Sequence, residues 1–405
     1  MTNSKSELFE YLAENDVKFV KLTFCDFLGR QRNISVLTSK LEDAFENGVL
    51  IDSAAVVGVG GIDLKLKPVS SLLSALPWRP HSGRVVSVFC NLFNADDTPF
   101  VCDPMVLLDN QVKKLGELGF KAQVATECEF YVFKEENTEE LVPFDEADYC
   151  ACAPYDKCEN LRRDVIVSLE DMGLNPISSH HERGMGQNEI DFESADPSSA
   201  ARNFIMFKTA VKNVCALNGT IASFMPRPIS GMSGSGLHLS ITLSGENANA
   251  AADSFAEGVL RRYNEITCFA NPTRNSYKRL KPHFKIAYSP LRGMAMRLFS
   301  DNKGNRIVQL RTPDSTCNIF TVLALVFAAG REGIEKKYEL RPAEACDALM
   351  FSTIDAAFAF AAKSKWLRAN IPGVYDDVLE SLKRRYIAEQ ALKTDREVFD
   401  FLADI

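Results

Sequence analysis

Four glutamates and one histidine sit in apolar, strand-like sequence in three separated segments. Glu127 and Glu129 lie in A-T-E-C-E-F, Glu182 and Glu189 in H-H-E-R-G-M-G-Q-N-E-I-D-F, and His238 in S-G-S-G-L-H-L-S. Ionised carboxylates are almost never buried unless paired or metal-bound. Either these segments face solvent, or they converge on cations. Side chains two apart on a strand share a face. Glu127 and Glu129 therefore oppose Cys128, Phe130 and Val132, while His238, Ser240 and Thr242 oppose Leu237, Leu239, Ile241 and Leu243. Gln309 and Arg311 likewise oppose Val308 and Leu310. Glu182 and Glu189 flank R-G-M-G-Q-N, whose glycines permit a tight reversal that brings the two carboxylates together. Hard oxygen ligands with one imidazole suit Mg²⁺ or Mn²⁺ better than a structural zinc.

Each pair alone is also what a half-exposed sheet with solvated glutamates would show. Their neighbours shift the balance toward chemistry. The glycine-rich S-G-M-S-G-S-G leads into a strand rather than a helix, so it is not a Walker-type loop, yet it lets backbone amides approach a ligand. Arg279, Arg292, Arg297 and Arg311 follow, and guanidinium groups match carboxylate and phosphate oxygens bidentately. Carboxylates for metals plus arginines for anions describe phosphoryl transfer. For Arg262 and Arg384 a surface ion pair is the better reading.

The elements that must hold these residues are legible in outline. V-K-F-V-K-L-T-F from Val17 alternates, turns at D-F-L-G-R and resumes at R-N-I-S-V, which is a hairpin; another strand pattern starts at Arg84. The first hundred residues thus read as a small sheet-rich domain with few helices. A boundary is expected near Asp103, giving domains 1–100 and 101–405. Helices are expected over Pro104–Leu118, over Leu161–Met172 ending at Gly173, and from the Asp196 cap to about Leu217. With 405 residues, 46% hydrophobic, two domains are the natural expectation. The formal net charge of −8, without a Lys/Arg run, argues against a nucleic-acid footprint. The start lacks a signal peptide's apolar core, and 319–330 is too short to span a bilayer, so a cytoplasmic, non-membrane protein is expected. Eleven cysteines at irregular spacing read as reduced thiols; Cys150, Cys152 and Cys158 could hold a metal only with a fourth ligand that the sequence does not offer nearby.

Taken together, K-L-T-F-C-D-F-L-G, L-P-W-R-P, E-C-E-F, H-H-E-R-G-M-G-Q-N-E-I-D-F, F-M-P-R-P-I-S-G-M-S-G-S-G-L-H and N-S-Y-K-R-L resemble, in order, the glutamine synthetase family over nearly the whole chain. The resemblance implies an α+β fold: a β-grasp domain, then a catalytic domain with a curved antiparallel sheet flanked by helices. It also implies a homo-oligomer of two stacked hexamers, each site completed by the neighbour's β-grasp domain. The implied reaction is ATP-dependent: glutamate's γ-carboxylate attacks ATP, and ammonia displaces phosphate from γ-glutamyl phosphate. By motif, Glu129, Glu182 and Glu189 would hold the substrate-side Mg²⁺ or Mn²⁺, and Glu127 and His238, with Gln309, the nucleotide-side ion. Gly234, Arg279 and Arg311 would bind the glutamate-like substrate. Ser240, Thr242, Arg292 and Arg297 would contact ATP, with Arg292, Arg297 and Arg311 clamping phosphate. Asp52 would be the ammonium-side carboxylate lent to the adjoining subunit.

The sequence departs from that pattern around the amine. Gln309 stands where the family has a third acidic ligand. The loop after K-R-L is short and carries no carboxylate, with His283 and Lys285 in it. Ser233 replaces an asparagine, Ser240 a second histidine, Arg227 a lysine, and D-S-A-A at Asp52 replaces D-G-S-S. The stretch after G-I-E-K-K, where relatives carry a regulatory tyrosine loop, is short. Three readings follow: a glutamate–ammonia ligase with a variant flap, a γ-glutamyl ligase for a larger amine, and a non-catalytic homologue with a binding or regulatory role.

Overall fold

The structure, a computed structural model, describes residues 4–58, 60–78, 83–135, 141–280, 285–346, 348–371 and 375–391. Its first sheet contains β1 (Val17–Cys25), β2 (Gln31–Leu37), β3 (Val49–Asp52), β4 (Asp63–Ala75) and β5 (Arg84–Asn94) in the order β2-β1-β5-β4-β3. The hairpin expected from the Val17 alternation is present, with Leu22 opposite Ile34. β1 runs parallel to β5, Leu22 beside Val88, and the remaining pairs are antiparallel. This segment has more helix than the sequence suggested: Lys5–Glu14, Leu41–Asn47 and Ala54–Val57. The first buries Leu8 and Leu12 against the sheet and is capped by Ser4 accepting from the Glu7 amide.

The second sheet is built from β6 (Lys121–Lys134), β7 (Pro176–His181), β8 (Gln187–Phe192), β9 (Thr220–Ser223), β10 (Leu237–Ser244), β11 (Tyr288–Ser289), β12 (Met296–Ser300) and β13 (Arg306–Leu310). Its order is β11-β12-β13-β10-β6-β8-β7, with β9 also on β6. The neighbours pair antiparallel except β11 with β12. One face is apolar: Cys128, Phe130, Val132, Leu237, Leu239, Ile241 and Val308 are all buried. Helices Pro104–Glu117, Glu159–Asp171, Pro197–Leu217, Ala248–Ala270 and Ile319–Glu335 supply the rest of this core, and the first three match the expected ranges to within two residues. The 319–335 helix is buried through Gly330. No helix among the described residues is long and apolar enough to cross a membrane.

The buried side chains of the two sheets form one continuous apolar cluster. Polar contacts reinforce the joint. Asp103 caps the 104–117 helix through the Met105 amide and reaches back to the Leu92 amide of β5 at 2.9 Å. Asn318 Nδ2 donates to the carbonyl of Asp26 in the β1–β2 turn at 3.0 Å. Gly29 in that turn has φ +78°, and a Cβ there would lie 2.6 Å from the Cys317 carbonyl oxygen.

Candidate active site

Strand register decides the site. His238 of β10 lies opposite Glu127 of β6, which lies opposite Asp191 of β8, which lies opposite Ser178 of β7. Two residues along, Glu129 lies opposite Glu189, and Glu189 opposite His180. Antiparallel pairing thus sets carboxylate against carboxylate twice on one face, which destabilises a sheet unless a cation intervenes. The reversal between β7 and β8 works as the glycines suggested. Gly186 has φ +68°, the Gln187 amide donates to the Gly184 carbonyl at 2.9 Å, and the Glu182 amide to the Gln187 carbonyl at 2.8 Å. Glu182 and Glu189 are brought together with His180, ligand atoms within 4.8 Å of one another.

A buried relay holds this hairpin. His181 donates through Nε2 to Asp145 Oδ1 at 2.9 Å and through Nδ1 to the Glu182 carbonyl at 2.6 Å. Asp145 also accepts the Gly186 amide at 2.9 Å. Burial would raise the Asp145 carboxyl, but His181 and the Gly186 and Lys157 amides outweigh it and hold it at about 2.

The polar faces surround a cleft of about 440 Å³. Glu127, Glu129, Glu182, Glu189, His238, Gly234, Arg292, Arg297 and Arg311 are among its lining residues. Two metal-capable groups overlap in it, Glu127–Glu189–His238 and His180–Glu182–Glu189, and Glu189 belongs to both. Glu129 stands slightly apart. Its Oε2 accepts from the Gly236 amide at 3.0 Å and Gln187 Nε2 at 3.1 Å, which fixes the glycine loop to β6.

The electrostatics fit a divalent cation. Burial, then Glu129, Asp191 and Glu182, pushes the Glu189 carboxyl far up, so the cluster keeps a proton when no cation is bound. Burial also raises Glu129. Glu182 goes the other way, because the His180 ring and the Arg183 amide outweigh its burial. His238 does the same for Glu127, its Nδ1 3.0 Å from Oε2. Asp191 Oδ1 is buried with no hydrogen-bond partner. An orphaned carboxylate oxygen, among hard oxygen donors and two imidazoles, suits Mg²⁺ or Mn²⁺.

Several other residues fall elsewhere. Gln309 is buried beneath the cleft, with Nε2 on Glu127 Oε1 at 2.8 Å and on Ser240 Oγ at 3.1 Å. Arg279 donates to the backbone carbonyls of Thr312 at 2.6 Å and Arg311 at 2.9 Å, behind the glycine loop. A Cβ on Gly236 would lie 2.5 Å from its Nη2. Thr242 lies farther along β10, outside the cleft lining, and Asp52 is exposed on the edge strand β3. Lys285 is described, bridging to Leu349, while His283 lies outside the described residues. Cys150 and Cys152 are exposed and Cys158 is buried, and no cysteine joins a metal-capable group among the described residues. The sequence reading missed His180, Asp191, Tyr149 and Arg183, all of which line the cleft. Arg183 lies over the Tyr149 ring at 5.2 Å, and that ring meets His180 edge-on at 5.4 Å. Period-two spacing from Glu182 and Glu189 would have found His180 and Asp191.

A grasp-type sheet followed by a curved antiparallel sheet with a carboxylate-lined cleft defines an ATP-dependent ligase of the glutamine synthetase family, and this chain belongs to that family. The family's β-grasp domain matches residues 16–95 and its catalytic domain residues 101–400. The chain is 33% identical to glutamine synthetase of Clostridium saccharobutylicum over 411 residues, covering 96% of this chain and 91% of that one. It is 34% identical to glutamine synthetase of Mycobacterium tuberculosis over 428 residues, covering 99% and 94%. In fold it is similar to a solved structure of GmaS without ligand, with a TM-score of 0.86 at 21% identity, covering 96% of this chain and 98% of that one. Members of the family use ATP and divalent metals.

Proposed function

We propose that this protein joins glutamate to an amine through γ-glutamyl phosphate, with ammonia as the amine, and that residues 1–100 and 101–405 divide the work as grasp and catalytic domains. One observation carries the reading. Four glutamates and the arginines Arg292, Arg297 and Arg311 line the same cleft, which is what transfer of a phosphoryl group to a carboxylate requires.

In this reading Glu129, Glu182 and Glu189 hold a divalent cation on the substrate side, with His180 beside them. Glu127 and His238 hold a second on the nucleotide side, where Gln309 is a neutral neighbour. Bound cations would supply positive charge against the phosphoryl oxygens. Arg292, Arg297 and Arg311 orient those oxygens, and Ser240 and Thr242, on β10 beyond the cleft lining, are assigned to the nucleotide by the family resemblance alone. Gly234 lets the backbone approach glutamate, and Arg279, held in place by the Thr312 and Arg311 carbonyls, grips the substrate carboxylate together with Arg311. Asp52, exposed on an edge strand outside its own chain's cleft, completes the site of a neighbouring copy in a double-hexamer ring.

A larger amine is the second reading. It is favoured by the stretch from Leu280 to Tyr288, which has no carboxylate to accept an ammonium proton. Such a group typically contributes about 10²–10⁴-fold, so its absence favours a nucleophile that arrives uncharged. Release of ADP with Mg²⁺ or Mn²⁺, glutamate and a panel of amines tests both. Fastest turnover with ammonia supports the first, fastest turnover with a larger amine the second, and none with any amine contradicts both.

A further inference from the structure

A second cleft, of about 190 Å³, lies where the β1–β2 turn meets the 197–217 helix and the Tyr375–Ala391 helix. It shares no lining residue with the carboxylate cleft. Cations from three elements converge on it: Arg30 and Arg32 from the turn and β2, Lys208 and Lys212 one helical turn apart, and Arg385. None of its lining residues is acidic, in a chain whose formal net charge is −8. The basic character is therefore local to the cleft.

The carboxylate that shapes the turn is already engaged. Asp26 Oδ1 accepts the Leu28 and Arg30 amides, each at 2.9 Å, and Oδ2 accepts Arg32 Nε at 3.0 Å. Lys208 is the most informative of the cations. It is 9% exposed, sits 5.4 Å from the Phe204 ring and 5.9 Å from the Phe224 ring, and donates to the Ser315 carbonyl at 3.0 Å. Burial lowers its pKa; the Cys317, Cys128 and Cys25 thiols oppose that shift, and the positive charge of Arg385 adds to it. An anion in the cleft would offset the repulsion between Lys208 and Arg385. Gln31 and Thr209, hydrogen-bonded to each other, and Thr316 add neutral polar groups to the lining.

We propose that this cleft binds a small multivalent oxyanion of the phosphate class, as inorganic phosphate or as the phosphoryl group of a monoester. The volume admits a phosphoryl group and excludes a nucleotide. Guanidinium and ammonium donors from three directions match tetrahedral oxygens. Occupancy clamps the turn that Gly29 seats against Cys317 to two helices distant in sequence, so it stiffens the joint between the sheets.

The test is calorimetric titration of the full-length, metal-free protein with inorganic phosphate, in a buffer without other oxyanions, with the melting temperature followed in parallel. Saturable binding at one ion per chain and a rise in melting temperature are expected. Lys212→Gln should weaken binding about tenfold or more, the size of one lost charge-assisted bond. Lys212→Arg, which keeps the charge, should retain it, and Arg292→Gln in the carboxylate cleft should leave it unchanged. Methyl phosphate separates the sources: binding as tight as phosphate indicates a monoester site, and rejection indicates a site for the free ion. No saturable heat, or binding lost in Arg292→Gln and kept in Lys212→Gln, overturns the proposal. Neither result bears on ligase activity, which is read separately as ADP release.

Discussion

Gln309 Nε2 donates to Glu127 Oε1 at 2.8 Å, while Gln309 Oε1 accepts from Arg311 Nη1 at 2.9 Å. The direction is fixed, because a carboxylate only accepts and a guanidinium only donates. A neutral amide thus bridges a would-be metal ligand to an arginine. An acidic residue there would lose the bond to Glu127 and set two carboxylates in contact.

Gln309→Glu therefore has two effects of opposite sign. Affinity for Mn²⁺, measured by calorimetry, should rise roughly tenfold through an added anionic ligand. The metal-free protein should melt at a lower temperature than the wild type, because the new carboxylate faces Glu127. Unchanged Mn²⁺ affinity would remove Gln309 from the nucleotide-side site.

Mn²⁺ binding should also depend on pH through Glu189. Burial and neighbouring carboxylates raise that carboxyl, so around neutrality the ion must displace a proton. Affinity should climb by up to about tenfold per unit as pH rises from 6 to 8, the limit for one proton released per ion. Titrations in two buffers of different ionisation enthalpy count the proton directly. A flat profile would mean Glu189 is ionised before the metal arrives.

Gly186→Ala tests the hairpin that pairs Glu182 with Glu189. The residue has φ +68°, and a Cβ would lie 2.6 Å from the Val132 carbonyl oxygen. A loss of about 2–3 kcal/mol in urea unfolding is expected, with weakened Mn²⁺ binding. Stability and affinity both at wild-type levels would show the turn to be more tolerant than its geometry implies.

Asp145 should make its contribution visible in acid. Its folded pKa of about 2 lies below the ordinary 3.8, so its stabilisation is complete above 3.8 and is lost as pH falls toward 2. The side chain is fully buried, and the shift corresponds to at most about 2 kcal/mol. Asp145→Asn should start less stable at pH 5, and the gap to wild type should close by about that amount near pH 2. A gap that stays constant would assign the loss to packing.

Much of this was legible because strands carry their faces in the sequence. Alternation around Glu127, His238 and Gln309 placed each on the polar side of its strand, and two glycines announced the turn between Glu182 and Glu189. What alternation does not give is register. That Glu127 faces Asp191, and Glu129 faces Glu189, depends on pairing between segments some 60 residues apart, as does the membership of Glu189 in both metal-capable groups. Arg279 shows the same limit: its residue type suited a substrate carboxylate, but the sequence did not show that the Thr312 and Arg311 carbonyls would hold two of its N–H groups. β4 escaped notice because its pairing with β5 shifts register between Pro68 and Leu73, breaking the period that marks a strand.

The central claim is that the carboxylate cleft holds cations for phosphoryl transfer to a carboxylate. ADP release with Mn²⁺, glutamate and the best amine, compared between wild type and Glu129→Ala, tests it most directly. Glu129→Ala should abolish turnover and weaken Mn²⁺ binding in a protein that remains folded by circular dichroism. Wild-type turnover in that variant would contradict the account.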